Sequence, residues 1–202
     1  MMIKLFLLIF FPTICFGNTI SYYQGYLMYK NYIKDVIPST DINEVIAGIK
    51  DAHNGVIISR KEIDSKKKEM YEKAKEERLA QANNFMKEIV ASPNVIELEK
   101  GKLAYKVVKN GFGLTVKEND SPSLLFVIKV LENGEELTFT KAEEPTVILL
   151  RSTIPGFVRG VTGMSEGEKR IIYIHPDLAY GSSSEFINPN TQIIVEVEVV
   201  KI

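Results

Sequence analysis

Between Arg60 and Arg78, 14 of 19 residues are charged, and Ile63, Met70 and Ala74 are almost the only apolar positions among them. No packed domain can absorb such a segment, because charged side chains are buried only when they are paired. The segment belongs to a longer run, SRKEIDSKKKEMYEKAKEERLAQANNFMKEIV, that opens with Ser59 and Glu62 at capping-box spacing and closes before Ser92-Pro93. A helix of roughly thirty residues is about 45 Å long, more than the diameter of a small domain. Residues 59–92 are therefore expected to form a solvated linker helix. What the protein does must be built on either side of it.

On the N-terminal side, residues 1–17 stand apart. Lys4 precedes the apolar run LFLLIFF, Pro12 follows it, and Cys15-Phe16-Gly17 places small residues around a plausible cut after Gly17. This is the pattern of a secretory signal peptide, and the run is too short to span a bilayer. The protein is accordingly expected to be exported, to the periplasm or, if Cys15 is lipidated, to an outer-membrane surface. Ile14 speaks against lipidation, since a small residue is expected before a lipidated Cys. Cys15 is the only cysteine, so removing the leader leaves a chain without disulfides that must hold together by packing. The formal charge of −1 becomes −2 on losing Lys4, and nothing in it favours a nucleic-acid partner.

Residues 18–58 read as helical. DINEVIAGIKDAHNG has Asp41 and Glu44 at capping-box spacing, Ile42, Val45, Ile46 and Ile49 on one face, and Gly55 as a stop. Before it, ISYYQGYLMYKNYI is rich in Tyr and aliphatic residues. Two short helices cannot hide that much apolar surface alone, which predicts a homodimer through this region.

From Leu103 the period changes from helical to alternating. LAYKVVK, LLFVIKV, ELTFT, TVILL, RIIYIH and QIIVEVEVVKI are short β-patterned runs broken by NGFG, ENGE and SEGE, with Asn133-Gly134 marking a tight hairpin. STIPGFVRGVTGM is the one stretch in this half with a short helical look. Antiparallel strands around one short helix make an α+β domain over 93–202.

Five motifs occur here in a recognisable order: GKLAYKVVKNGFG, ENGEEL, STIPGFVRGVTGM, GEKRIIYIHPDLAYG and NPNTQIIVEVEVVKI. Together they resemble an FKBP-type peptidyl-prolyl isomerase domain from about Leu103 to Ile202. SYYQGYLM, AGIKDAHNG and the long charged helix resemble the helical region that precedes this domain in the macrophage infectivity potentiator group. The resemblance implies catalysed rotation about X-Pro bonds, opposed by amide resonance with a barrier of ~18–20 kcal/mol. That chemistry needs no nucleophile, metal or cofactor. It needs an apolar pocket that strips water from the amide and favours its twisted form.

By the same resemblance Tyr180 of the AYG motif covers the pocket and donates its hydroxyl to a ligand carbonyl. Phe157 forms the floor where many relatives have Trp, and the Ile154 N–H holds a substrate carbonyl. Thr153 stands where a small aliphatic residue is usual. Val127 and Lys129 replace a Tyr and a Gly, Leu137-Thr138 replaces a Phe-Asp pair, and Val195 replaces an aromatic residue of the last strand. Three lost rings at ~50 Å² and about 25 cal/mol per Å² each would slow catalysis around a hundredfold.

His53 and His175 are far apart in sequence; the first suits a helix end and the second a turn before Pro176. No metal site is expected from them. Two functions remain: an exported prolyl isomerase with chaperone character acting on proline-containing or unfolded polypeptides, with activity reduced by the altered pocket, or a dimeric client-binding module without catalysis.

Overall fold

The computed structural model describes residues 20–29, 31, 41–132, 134–183 and 187–202. The expected leader with Cys15, and Asn133 of the hairpin, lie outside them. The chain divides into two units, Met1–Val36 and Ile37–Ile202. In the first, helix α1 (Ile20–Met28) buries none of its residues. Ile20, Tyr26 and Leu27 are exposed, and the Tyr22 and Tyr23 rings meet edge to face at 5.6 Å.

The second unit begins with helix α2 (Ile42–His53), capped by Asp41, whose Oδ1 accepts the Asn43 N–H at 2.8 Å. Gly55 ends it at φ +81°, a conformation that a side chain would strain. Ile42, Ile46 and Ile49 are exposed along α2. Helix α3 (Arg60–Val90) follows, with the Ser59 Oγ accepting the Glu62 N–H at 3.2 Å.

Helix α3 has two halves of different character. Residues 60–73 are exposed throughout, as their charge requires. From Ala74 onward the helix is partly covered, burying Ala74, Ala82 and Met86, and its last turns pack on a sheet. Ala82, Phe85, Met86 and Ile89 recur at helical spacing and form the underside of this half. Met86 lies in one cluster with Ala104, Tyr173 and Ile194, and Phe85, Ile89 and Val90 pack against it. The solvated-linker expectation thus describes only the first half of the helix.

The sheet has seven strands, all paired antiparallel. Its path runs β1 (Val95–Glu99), β2 (Leu103–Lys109), β8 (Lys169–Ile174), β9 (Ile193–Lys201), β4 (Ser123–Glu132), β5 (Glu135–Lys141), and β6 (Thr146–Val147) pairs separately with β4. Two sequence expectations differ here. Only the first two residues of TVILL are strand, the next turn being a 3-10 segment at Leu150–Ser152. NGFG and SEGE contribute β3 (Phe112–Thr115) and β7 (Ser165–Glu166), which pair with each other. Gly111 permits that approach, since a Cβ there would stand 2.5 Å from the Glu166 carbonyl oxygen.

Strand β9 shows how the sheet divides its faces. Ile193, Val195, Val197 and Val199 join one core with Leu103, Leu124, Ile172 and Ile174. Ile194 faces the other way and is buried beneath α3, whereas Glu196 is exposed. Helix α4 (Pro155–Val161) packs into the first core. It lies close to β8, because a Cβ on Gly160 would stand 2.5 Å from Ile172 Cγ2 and one on Gly156 would overlap Ile174.

Candidate functional site

On the α4 side of the sheet lies a cavity of about 490 Å³, lined by Phe126 and Ile128 of β4, Ile193 and Val195 of β9, Ile148, Ser152, Thr153, Ile154, Pro155 and Phe157 around the start of α4, and Tyr180. None of these side chains carries a charge. Phe157 is 7% exposed and Val195 1%, so both form its inner wall, while Tyr180 is 37% exposed and borders the mouth.

Each wall follows from local sequence. In the segment before α4, Thr153 closes the 3-10 turn by donating its Oγ1 hydrogen to the Leu150 carbonyl at 2.7 Å. Ile154 is then the N-cap in extended conformation, and no side chain caps this helix end. Pro155 fits the first helical position because it has no N–H to satisfy. The helix is held by Arg170, whose Nη1 donates to the Gly160 carbonyl at 3.0 Å. Arg170 also lies 4.1 Å from the centre of the Tyr105 ring and, 2.5 Å from the Glu168 carboxylate, forms a buried pair.

The rim segment carrying Tyr180 begins at His175, which is 3% exposed. His175 Nδ1 accepts the Asp177 N–H at 3.2 Å and so caps the 3-10 turn Pro176–Leu178. Burial pushes its pKa below the ordinary histidine value, against the smaller opposing pull of Asp177. Asp177 is itself held low by Lys102, which donates to it across 2.9 Å. An acceptor at Nδ1 and a lowered pKa both describe a neutral imidazole at neutral pH.

The positions singled out in the sequence fall into two groups. Thr153, Ile154, Phe157, Tyr180 and Val195 converge on the cavity. Val127, Leu137 and Thr138 are not among its lining residues. Val127 instead lines a groove of about 420 Å³ on the opposite face with Lys141, Lys169, Glu196 and Glu198. Thr138 pairs with Lys129, whose ammonium reaches Glu136 at 3.2 Å and Glu196 at 2.5 Å on that same face. Leu137 pairs with Val130 on the cavity face but is 42% exposed. A bulge explains the shift in β5: Ile128 opposes Thr140 and Lys129 opposes Thr138, leaving Phe139 as the extra residue.

Phe126 and Ile128 were missed in the sequence, yet Lys129 could have revealed them. A strand alternates faces with period two, and a lysine cannot point into an apolar core. Leu125, Val127 and Lys129 must share one face, which leaves Phe126 and Ile128 on the other. Their partners agree, for Phe126 opposes Val197 and Ile128 opposes Val195. One of the three rings expected to be lost is therefore supplied by the neighbouring position. Among the described residues, no group of three or more His, Cys, Asp and Glu could hold a metal ion, and no helix is long and apolar enough to cross a membrane.

Comparison with known proteins covers both halves of the chain. Residues 114–200 match the model for FKBP-type peptidyl-prolyl cis-trans isomerases, and residues 17–107 match the domain amino-terminal to it. Peptidyl-prolyl cis-trans isomerase Mip of Chlamydia trachomatis is 34% identical over 183 residues, covering 88% of this chain and 75% of that protein. The protein of the same name from Chlamydia muridarum is 39% identical over 170 residues, covering 80% and 68%. Among solved structures, FkpA from Escherichia coli superposes with a TM-score of 0.60 at 24% identity, covering 90% of this chain and 94% of that one, a likeness of fold.

Proposed function

Because the chain belongs to the FKBP-type peptidyl-prolyl cis-trans isomerase family, we propose that the cavity between β4, β9 and α4 is where it binds and twists an X-Pro bond. The observation that carries this reading is the uncharged wall itself, with Phe126, Phe157 and Tyr180 among its lining residues. A proline ring is apolar and of a size to fill such a space. Its amide would lie at the mouth between the Ile154 N–H and the Tyr180 hydroxyl.

The chemistry follows from what planarity requires. Amide resonance places negative charge on the carbonyl oxygen and positive charge on nitrogen, and water stabilises that separation. Moving the amide into an apolar cavity removes the stabilisation, so the planar states lose more than the twisted one. Hydrogen bonds from Ile154 and Tyr180 to carbonyls flanking the proline hold the two ends while the bond between them turns. Each 1.36 kcal/mol taken from the barrier in this way is about tenfold in rate. No proton changes hands.

The same chain is read as exported, on the strength of the leader pattern at 1–17, and as acting on polypeptides outside the cytoplasm. Its oligomeric state is read as dimeric. Helices α1 and α2 each leave aromatic or aliphatic side chains exposed within their own units, among them Tyr26 and Leu27 on α1 and Ile42, Ile46 and Ile49 on α2. Chaperone character is favoured by one further observation. Leu137, Phe139, Val147 and Leu149 are exposed on β5 and around β6, an apolar surface that an unfolded client can contact outside the cavity.

Refolding of a protein limited by proline isomerisation tests the reading. Catalytic amounts of the full chain should accelerate the slow phase, and Tyr180→Phe should reduce the acceleration several-fold by removing one hydroxyl. A folded protein that suppresses aggregation of the substrate but leaves the slow phase unchanged would establish the client-binding module instead.

A further inference from the structure

Asn190 stands between the cavity rim and the long helix. It is buried and holds a left-handed backbone at φ +60°, a conformation that Asn adopts more readily than most residues. Its side-chain amide donates to the Lys75 carbonyl of α3 at 3.0 Å. Its backbone N–H donates to the Gly181 carbonyl at 2.8 Å. Gly181 directly follows Tyr180, is left-handed at φ +65°, and donates its own N–H to the Pro176 carbonyl at 2.9 Å. An unbroken series of hydrogen bonds thus runs from α3 through Asn190 to both ends of the 176–181 rim segment.

Neighbouring residues hold the same junction. Asn188 Nδ2 donates to Glu132 at 3.0 Å, and Gln192 Nε2 lies 3.4 Å from the Met86 sulfur. Lys75 is the residue after Ala74, the first buried position of α3. We propose, on the reading of the cavity as a proline site, that Asn190 is a positioning residue through which α3 fixes the Tyr180 rim. The backbone bond joins Asn190 to Gly181, beside Tyr180. The side-chain bond joins the same residue to α3 at Lys75. A displacement of α3 at Lys75 withdraws the tie, so the exposed first half of the helix acts on the rim without touching it.

Asn190→Gly tests this in the full chain, since glycine keeps the left-handed backbone and the bond to Gly181 but lacks the amide. The expected result is a KM for a proline peptide raised about threefold to tenfold, the worth of one ordinary hydrogen bond, with kcat little changed. Amide exchange at Gly181 should quicken by a similar factor. Ala74→Glu, which forces a carboxylate into the seam beside Lys75, should give the same two changes, and adding Asn190→Gly to it should add nothing. Unchanged KM and unchanged Gly181 exchange in Asn190→Gly would overturn the proposal, as would effects that add in the double variant. If the wild type has no isomerase activity the proline-site reading fails, while Gly181 exchange still decides whether α3 holds the rim.

Discussion

Phe126 and Val127 are adjacent in sequence and lie on opposite faces of β4, Phe126 opposing Val197 and packing on the core and Val127 opposing Glu196, so they make a paired test of which face binds substrate. Phe126→Val removes a ring from the cavity and should lower kcat/KM by about tenfold, the worth of ~50 Å² of apolar contact in the transition state. Val127→Tyr adds a ring on the far side and should leave kcat/KM unchanged. Both are read in a peptide isomerisation assay. With one ring restored and two still missing, the deficit against relatives that keep three shrinks from around a hundredfold to roughly twentyfold. His175 provides a second test at this scale. Its folded pKa is lowered from 6.5 by burial, so below that value the unfolded chain takes up a proton that the folded one refuses. Stability is fully present above about pH 6.5 and falls as pH drops toward the depressed folded value. His175→Ser keeps an acceptor for the Asp177 N–H without titrating. Thermal unfolding between pH 7 and 5 should show the wild type losing Tm more steeply than the variant.

Elements differed in how legible they were. The caps at Asp41 and Ser59, the left-handed Gly55 and the start of α4 at Pro155 are local chemistry, and each could be read from a few residues. What could not be read is what depends on a partner in space. The second half of α3 loses the charge of the first and carries Ala82, Phe85, Met86 and Ile89 at helical spacing, but that the sheet is what covers this stripe has no local signature. The bulge at Phe139 likewise has no local signature, yet it determines which side chains of β5 face the cavity. Alignment by motif placed Val127 one step from the residue that lines the cavity, because motif order carries no information about strand face. The approach of α4 to β8 gives a prediction for an element. Gly160→Ala places a methyl against Ile172 and should destabilise by about 1–3 kcal/mol, the range for overpacking a tight core. At roughly 2–4 °C per kcal/mol for a chain of this size, calorimetry should find a clear fall in Tm. Ile172→Val in the same chain should recover part of it.

For the molecule as a whole, the exposed residues of α1 and α2 set the expected assembly. Light scattering at tens of micromolar should return twice the 22.8 kDa of the chain, less the leader from each copy if it is removed. Ile46→Glu combined with Ile49→Glu should shift the mass toward one copy without unfolding the sheet, since neither side chain is buried within the chain. A monomeric wild type at that concentration would remove the dimer. The described elements are then two short helices that bury none of their residues, a long helix whose second half packs on the sheet, and a sheet that places an uncharged cavity against α4.

That this cavity turns X-Pro bonds is tested most directly by exchange NMR on a short proline peptide, with the full chain present in catalytic amount. The wild type should produce cis–trans exchange well above the spontaneous rate, whose time scale is tens to hundreds of seconds. Phe157→Leu, which keeps the inner wall apolar but removes its ring, should cut that exchange by about tenfold or more. No acceleration by folded wild-type protein, or acceleration that Phe157→Leu leaves intact, would contradict the account.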